Sequence, residues 1–172
     1  MKLVILVLAL LSSALGQSAT SSKDDSDRLR IELRAKAAQV RMSDDVVLTV
    51  FFRSSEKKIT IWSALGWSAA VGLYLQVFDS SGHEVPISFG PIYDPMPPDL
   101  SGKSALITVA GQTFAGFDSQ IPANMLFPKP GTYTLRCRYS PPLSRHYFQG
   151  HTIWGKEDGA IESAGVPIVV TQ

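Results

Sequence analysis

A single cysteine, Cys137, occurs in the whole chain. One thiol cannot close an internal disulfide, so the stapled frameworks of many small exported domains are excluded and core packing has to carry the stability. Asparagine is as scarce: Asn124 stands alone, followed by Met125 and Leu126, and no N-glycosylation sequon exists. An excess of charge of either sign is also missing, since sixteen basic residues face fifteen acidic ones. Nucleic acids and anionic membrane surfaces recruit proteins through basic excess, so the balance argues against both as partners. The apolar run Leu3–Leu11 is nine residues long, well short of the roughly 20 that a spanning helix needs.

That run follows Lys2 and is followed by small and polar residues up to Gly16. This is the pattern of a signal peptide, with Ala14 and Gly16 offering the small side chains that precede a cleavage point before Gln17. No cysteine follows the run, so a lipid anchor is not expected. Cleavage removes Lys2 and leaves fifteen basic against fifteen acidic residues. The expected organisation is a signal peptide over 1–16, an unstructured lead-in over 17–27, and a single domain over 28–172 that is secreted or periplasmic.

Alternation of apolar and polar residues dominates the rest. Leu29, Ile31 and Leu33 alternate with Arg30, Glu32 and Arg34, as in a half-exposed strand, and AKAAQVRM reads either as a helical turn or, the preferred reading, as a continuation of that strand. VVLTVFFR is dense in β-branched and aromatic residues and reads as a central strand. ITIW follows as a short strand, then AVGLYLQVFD, the turn SSGH and EVPISF as a hairpin. GPIYDPMPPDL carries prolines at 91, 95, 97 and 98; each lacks an N–H, so the segment cannot be an interior strand and is expected as a stiff exposed loop. SALITVAG reads as a strand, QTFAGFDSQIPANMLFPKPG as irregular, and TYTLRCRYS as a strand. In that strand Tyr133, Leu135, Cys137 and Tyr139 share the core face. A short strand at HTIW, a charged turn and a closing strand VPIVVT complete the chain. About seven to nine strands and no amphipathic helix of useful length predict an all-β sandwich.

KPGTYTLRCRY, a Pro-Gly turn with a tyrosine opening a late strand, resembles an immunoglobulin-like sandwich. The resemblance implies that Tyr133 is a tyrosine-corner residue whose hydroxyl bonds back to nearby backbone. Leu135 stands where an antibody domain carries its second cysteine, so the inter-sheet disulfide is absent. The order VVLTVFFRSS, ITIW, LQVFDSSGHEVP and PGTYTLRCRY, over residues 29–140, is similar to bacterial exported Ig-like domains resembling the intracellular proteinase inhibitor family. That likeness implies the fold; no reactive loop and no catalytic residue carries over.

No catalytic signature stands out. There is no Gly-x-Ser-x-Gly elbow, and His83-Glu84 lacks the second histidine of a zinc protease. His146, His151, Glu157 and Asp158 form no recognised ligand spacing, so neither metal nor cofactor is expected. Asp94, Asp99, Asp118, Glu157 and Asp158 are expected in loops as solvated acids. Cys137 is read as a small buried hydrophobe. Of the tryptophans, Trp62 is assigned to the core, Trp154 precedes a glycine turn, and Trp67 is expected nearest the surface. Candidate partner-binding residues are Trp67 and, within the proline stretch, Ile92, Tyr93 and Met96; Tyr133 and Cys137 are structural. The expectation is a non-enzymatic binding module whose partner is another exported or envelope protein, with protease inhibition within its reach. The alternatives are a structural accessory domain of the envelope or an unrecognised hydrolase.

Overall fold

The computed structural model of the chain describes residues 29–54, 57–63, 65–67, 71–87, 105–111 and 114–172. The expected signal peptide, the lead-in and the proline stretch with Ile92, Tyr93 and Met96 lie outside them.

Among the described residues the chain is all-β. The strand β3, Asp45–Ser54, buries Val46, Leu48, Val50, Phe52 and Ser54 and turns the alternate residues outward. It is the middle of a three-stranded antiparallel sheet between β1, Leu29–Ala35, and β8, Phe114–Pro122. Ile31 lies opposite Phe52, which lies opposite Ala115, so the small alanine leaves room for the ring. A second sheet has the order β2 (Gln39–Arg41), β11 (Val166–Thr171), β9 (Gly131–Tyr139), β5 (Leu73–Asp79) and β6 (Glu84–Val85). Within it β2 and β11 run parallel, and the other neighbours antiparallel. The two-residue β10, Ile161–Glu162, pairs with the end of β9 beyond β11. β4, Ile59–Trp62, and β7, Leu106–Val109, make a separate antiparallel pair.

The inner faces of these sheets meet in one apolar core. Phe52 from β3 and Tyr139 from β9 are in edge contact, with ring centroids 5.1 Å apart at 81°. Leu29, Ile31 and Leu33 of β1 join Leu73, Leu75 and Val77 of β5 and Leu135 and Cys137 of β9 in the same cluster. Very short strands at both margins of the second sheet, β2 and β6, limit the unpaired edge offered to other chains. The β5–β6 hairpin turns where Asp79 Oδ1 accepts hydrogen bonds from the N–H groups of Ser81 at 2.8 Å and His83 at 3.0 Å. An aspartate that bonds its own turn in this way fixes the reversal locally.

Several expectations need correction. QTFAGFDSQIPANMLFPKPG is not irregular: it forms β8 and one turn of helix, Ala123–Leu126. AKAAQVRM does not continue β1 in place. The chain leaves the first sheet after Ala35 and enters the second as β2. HTIW is no strand; Ile153 N–H reaches the Arg145 carbonyl at 3.0 Å and Trp154 N–H the Thr60 carbonyl at 2.8 Å, so its amides serve separate partners. Eleven strands are present among the described residues, rather than seven to nine, because β10 and β11 are one interrupted run and two others hold only two or three residues.

Candidate functional site

Cys137 is fully buried, and burial pushes its thiol up to about 12. Its backbone is held by Ser163, which sits in the break between β10 and β11. The Ser163 N–H donates to the Cys137 carbonyl at 2.8 Å, and the Ser163 hydroxyl oxygen accepts from the Cys137 N–H at 3.0 Å. A side-chain oxygen thus stands in for the ladder carbonyl that the break removes. With almost no thiolate and no access, this cysteine should resist alkylation in the native protein and react only on unfolding. Iodoacetamide labelling with and without denaturant, read by mass, checks this; rapid native labelling would refute it.

Tyr133, at the start of β9, donates its hydroxyl proton to the Lys129 carbonyl at 2.8 Å. Its ring lies against Phe127 with centroids 4.8 Å apart. The bond spans the turn that leads into the strand and ties it down.

Trp67 is half-buried, packed against the core rather than open to solvent. Its indole N–H donates to Ser119 Oγ at 2.8 Å, and its ring makes an edge contact with Phe117 at 5.3 Å. Both of those partners are on β8, the strand missed in the sequence. Trp62 is buried and Trp154 half-buried. The indole N–H groups of both are shielded and have no acceptor among the described residues.

Of the acids expected as solvated loop residues, Asp94 and Asp99 lie outside the described residues, and Asp118, Glu157 and Asp158 are engaged in structure. Asp118 lies on β8, not in a loop, and accepts from Thr49 Oγ1 across the sheet at 2.6 Å. Glu157 and Asp158 sit in a 3-10 turn, Lys156–Asp158. Glu157 Oε2 accepts from the Arg145 N–H at 2.8 Å, Asp158 Oδ2 accepts from the Gly155 N–H at 2.8 Å, and the Asp158 carboxylate pairs with the Arg145 guanidinium. Asp158 in turn raises the pKa of Arg145. These contacts pin the loop from Leu143 to Asp158. His146 and His151 are exposed on it, and no three potential ligands gather anywhere among the described residues.

Backbone N–H donors, its own first and then that of Arg145, hold the Glu157 carboxyl below the usual glutamate range. Asp79 is lowered chiefly by the His83 N–H, and Asp44 by the Arg41 side chain. A carboxyl depressed in the folded state contributes stability above its unfolded pKa, about 3.9 to 4.3, and loses it as pH falls through the folded value. The melting temperature should therefore fall as pH drops below that range, and Glu157→Gln should flatten the acid limb. An acid slope identical in the variant would contradict the assignment.

The outer face of the three-stranded sheet carries a feature not singled out in the sequence. Phe51 of β3 and Phe114 of β8 meet edge to face at 5.1 Å, and Phe114 is 57% exposed. Arg34 lies over Phe51 at 4.9 Å, and Arg53 lies between the two rings at 5.6 and 5.7 Å. Glu32 joins them through Arg34 at 3.0 Å and Arg53 at 3.6 Å. Phe51 is out of phase with the core residues of VVLTVFFR, and that phase is the signal that could have revealed an outward aromatic. A separate open cleft of about 530 Å³ lies between β4 and the pinned loop, lined by Lys57, Lys58, Thr60, Arg145, Thr152 and Trp154 among others.

No family model matches the chain, and no curated protein matches it.

Proposed function

We propose that this chain is an exported, non-enzymatic, immunoglobulin-like module that acts by binding another exported or envelope protein. The strand order supports the fold reading. β1, β3 and β8 correspond to strands A, B and E of such a sandwich, and β11, β9, β5 and β6 to G, F, C and C′. The Tyr133 bond to Lys129 has the form of a tyrosine corner. The β4–β7 pair is where the correspondence departs, since strand D would extend the first sheet.

The observation that carries the binding reading is the outer ladder of Phe51, Phe114, Arg34 and Arg53. Aromatic and arginine side chains are the residues enriched at interface hot spots. Here four of them share one face, with a phenylalanine mostly in water. Arginine over an aromatic face is pre-positioned, so less side-chain freedom is lost on docking. Asp118 ties two strands together, Glu157 and Asp158 hold a loop and the Cys137 thiol is buried in the core, which fits a scaffold better than a reaction centre.

Crosslinked capture from the native exported fraction tests this, with Phe114→Ala and a replacement of the 91–98 stretch as parallel baits. One reproducible partner lost with Phe114→Ala establishes the ladder as the contact. Loss only with the 91–98 replacement moves the contact to Ile92, Tyr93 and Met96. Capture of nothing by the unaltered chain sinks the binding reading and favours the accessory domain.

A further inference from the structure

Among the described residues β1 is paired on one side only. Its register with β3 runs from Leu29↔Ser54 to Ala35↔Leu48. One step on, the Lys36 N–H donates to the Val47 carbonyl at 2.9 Å. In an antiparallel ladder the bonding residues alternate, so Arg34, Glu32 and Arg30 also exchange hydrogen bonds with β3. The far side of β3 agrees: the Ala123 N–H reaches the Asp44 carbonyl at 2.9 Å, which assigns the even residues of β3 to β8 and the odd ones to β1. The backbone N–H and C=O groups of Leu29, Ile31 and Leu33 therefore point away from β3. They open on a groove of about 400 Å³ whose opposite side is formed by Ile161, Glu162 and Ala164 of the facing sheet. No hydrogen bond from these groups to another described residue is present.

We propose that this edge pairs with the same edge of a second copy of the chain, antiparallel, about a two-fold axis through Ile31. Only odd-numbered residues can exchange bonds across such a contact, which leaves few registers. Centring on Ile31 sets Leu29 against Leu33 on the core side and places Arg30 opposite Glu32 twice on the solvent side, with about six main-chain bonds. Moving one step places Arg30 against Arg30; moving the other way places Glu32 against Glu32 and Arg30 against Arg34. Like charges directly opposite are destabilising and unlike ones stabilising, so both slips are disfavoured. Centring on Leu33 pairs Glu32 with Arg34 but sets Arg30 against Lys36, where the chain is already leaving the sheet, and it abandons the groove along residues 29–33. Charge complementarity thus selects one register and one partner, a copy of the same strand. A two-fold contact of this kind is closed, so it stops at the dimer. It is small beside a standard interface, so the dimer forms reversibly with concentration.

The decisive experiment mixes Arg30→Cys and Glu32→Cys proteins under oxidising conditions. In the Ile31-centred register these positions form a non-hydrogen-bonded pair with Cα atoms about 4.5 Å apart, within disulfide reach. The mixture should crosslink while either variant alone does not, and the buried Cys137 stays out of the reaction. Sedimentation of the unaltered protein should show a monomer–dimer equilibrium that Arg30→Glu weakens by about tenfold or more. Amide exchange at Ile31 and Leu33 should slow as protein concentration rises. A monomer at every concentration, crosslinking of Glu32→Cys with Arg34→Cys instead, or a dimer indifferent to Arg30→Glu would each overturn the proposal. So would protection of these amides that is independent of concentration, because the edge would then be filled from within the chain.

Discussion

Phe52→Ala is expected to lower the unfolding free energy by about 3–5 kcal/mol, the range for deleting a fully buried aromatic. Phe52 has no exposed surface and lies on the central strand of its sheet, with Ile31 on one side and Ala115 on the other. Its ring also meets Tyr139 of the opposing sheet, so the deletion opens a void where the two sheets touch. Collapse is hindered because both strands are held by ladders on each flank. For a domain stabilised by about 5–15 kcal/mol, this is a large share of the total. Urea unfolding of the variant checks it. A loss below about 1.5 kcal/mol would mean that the sheets close over the gap and that the inter-sheet contact contributes little.

The second large effect concerns Gly72, at the entry to β5. Its φ is +74°, a conformation that costs an L-residue about 1–2 kcal/mol. A Cβ there would also be driven into the Ser140 carbonyl oxygen, while the Gly72 carbonyl already accepts the Ser140 N–H at 2.7 Å. Strand β9 must therefore shift or that bond must break. Gly72→Ala should cost about 3 kcal/mol or more. Gly82 supplies the control, because its φ is +81° yet nothing lies within 4 Å of an added Cβ. Gly82→Ala should cost the conformational part alone, about 1–2 kcal/mol. Equal losses at the two sites would show that β9 yields freely near Ser140.

Where alternation ran in phase with burial, the sequence was enough. β1, β3 and β9 each place every second residue in the core, and Cys137 could be assigned inward from its neighbours Leu135 and Tyr139 alone. β8 could not be read so. It contains Gly116, Asp118, Ser119 and Gln120, and only Ala115 and Ile121 are buried along it. It is a strand because β3 offers it a ladder from Asp45↔Pro122 to Arg53↔Phe114, a tertiary effect that outweighs weak local preference. HTIW failed in the opposite direction. It has strand-like residues but forms no ladder: its amides go singly to Arg145 and to Thr60 of β4. The candidate site divides similarly. Trp67 was singled out in the sequence, but its bond to Ser119 depends on β8. The Phe51–Phe114 ladder joins residues far apart in the chain through that same strand.

The crossing of the chain from β1 to β2 has a temporal consequence. β2 runs parallel to β11, with Gln39 beside Val169 and Arg41 beside Thr171. That pairing cannot form until almost the whole chain has been synthesised, because its two halves lie at opposite ends of the domain. β11 also supplies one flank of β9, so the second sheet stays incomplete for as long as the last residues are missing. Closing so long a loop is slow, since entropy is lost before any contact repays it. A ribosome-bound chain of this sequence thus remains without its complete second sheet until β11 emerges, a state in which chaperones find it still open.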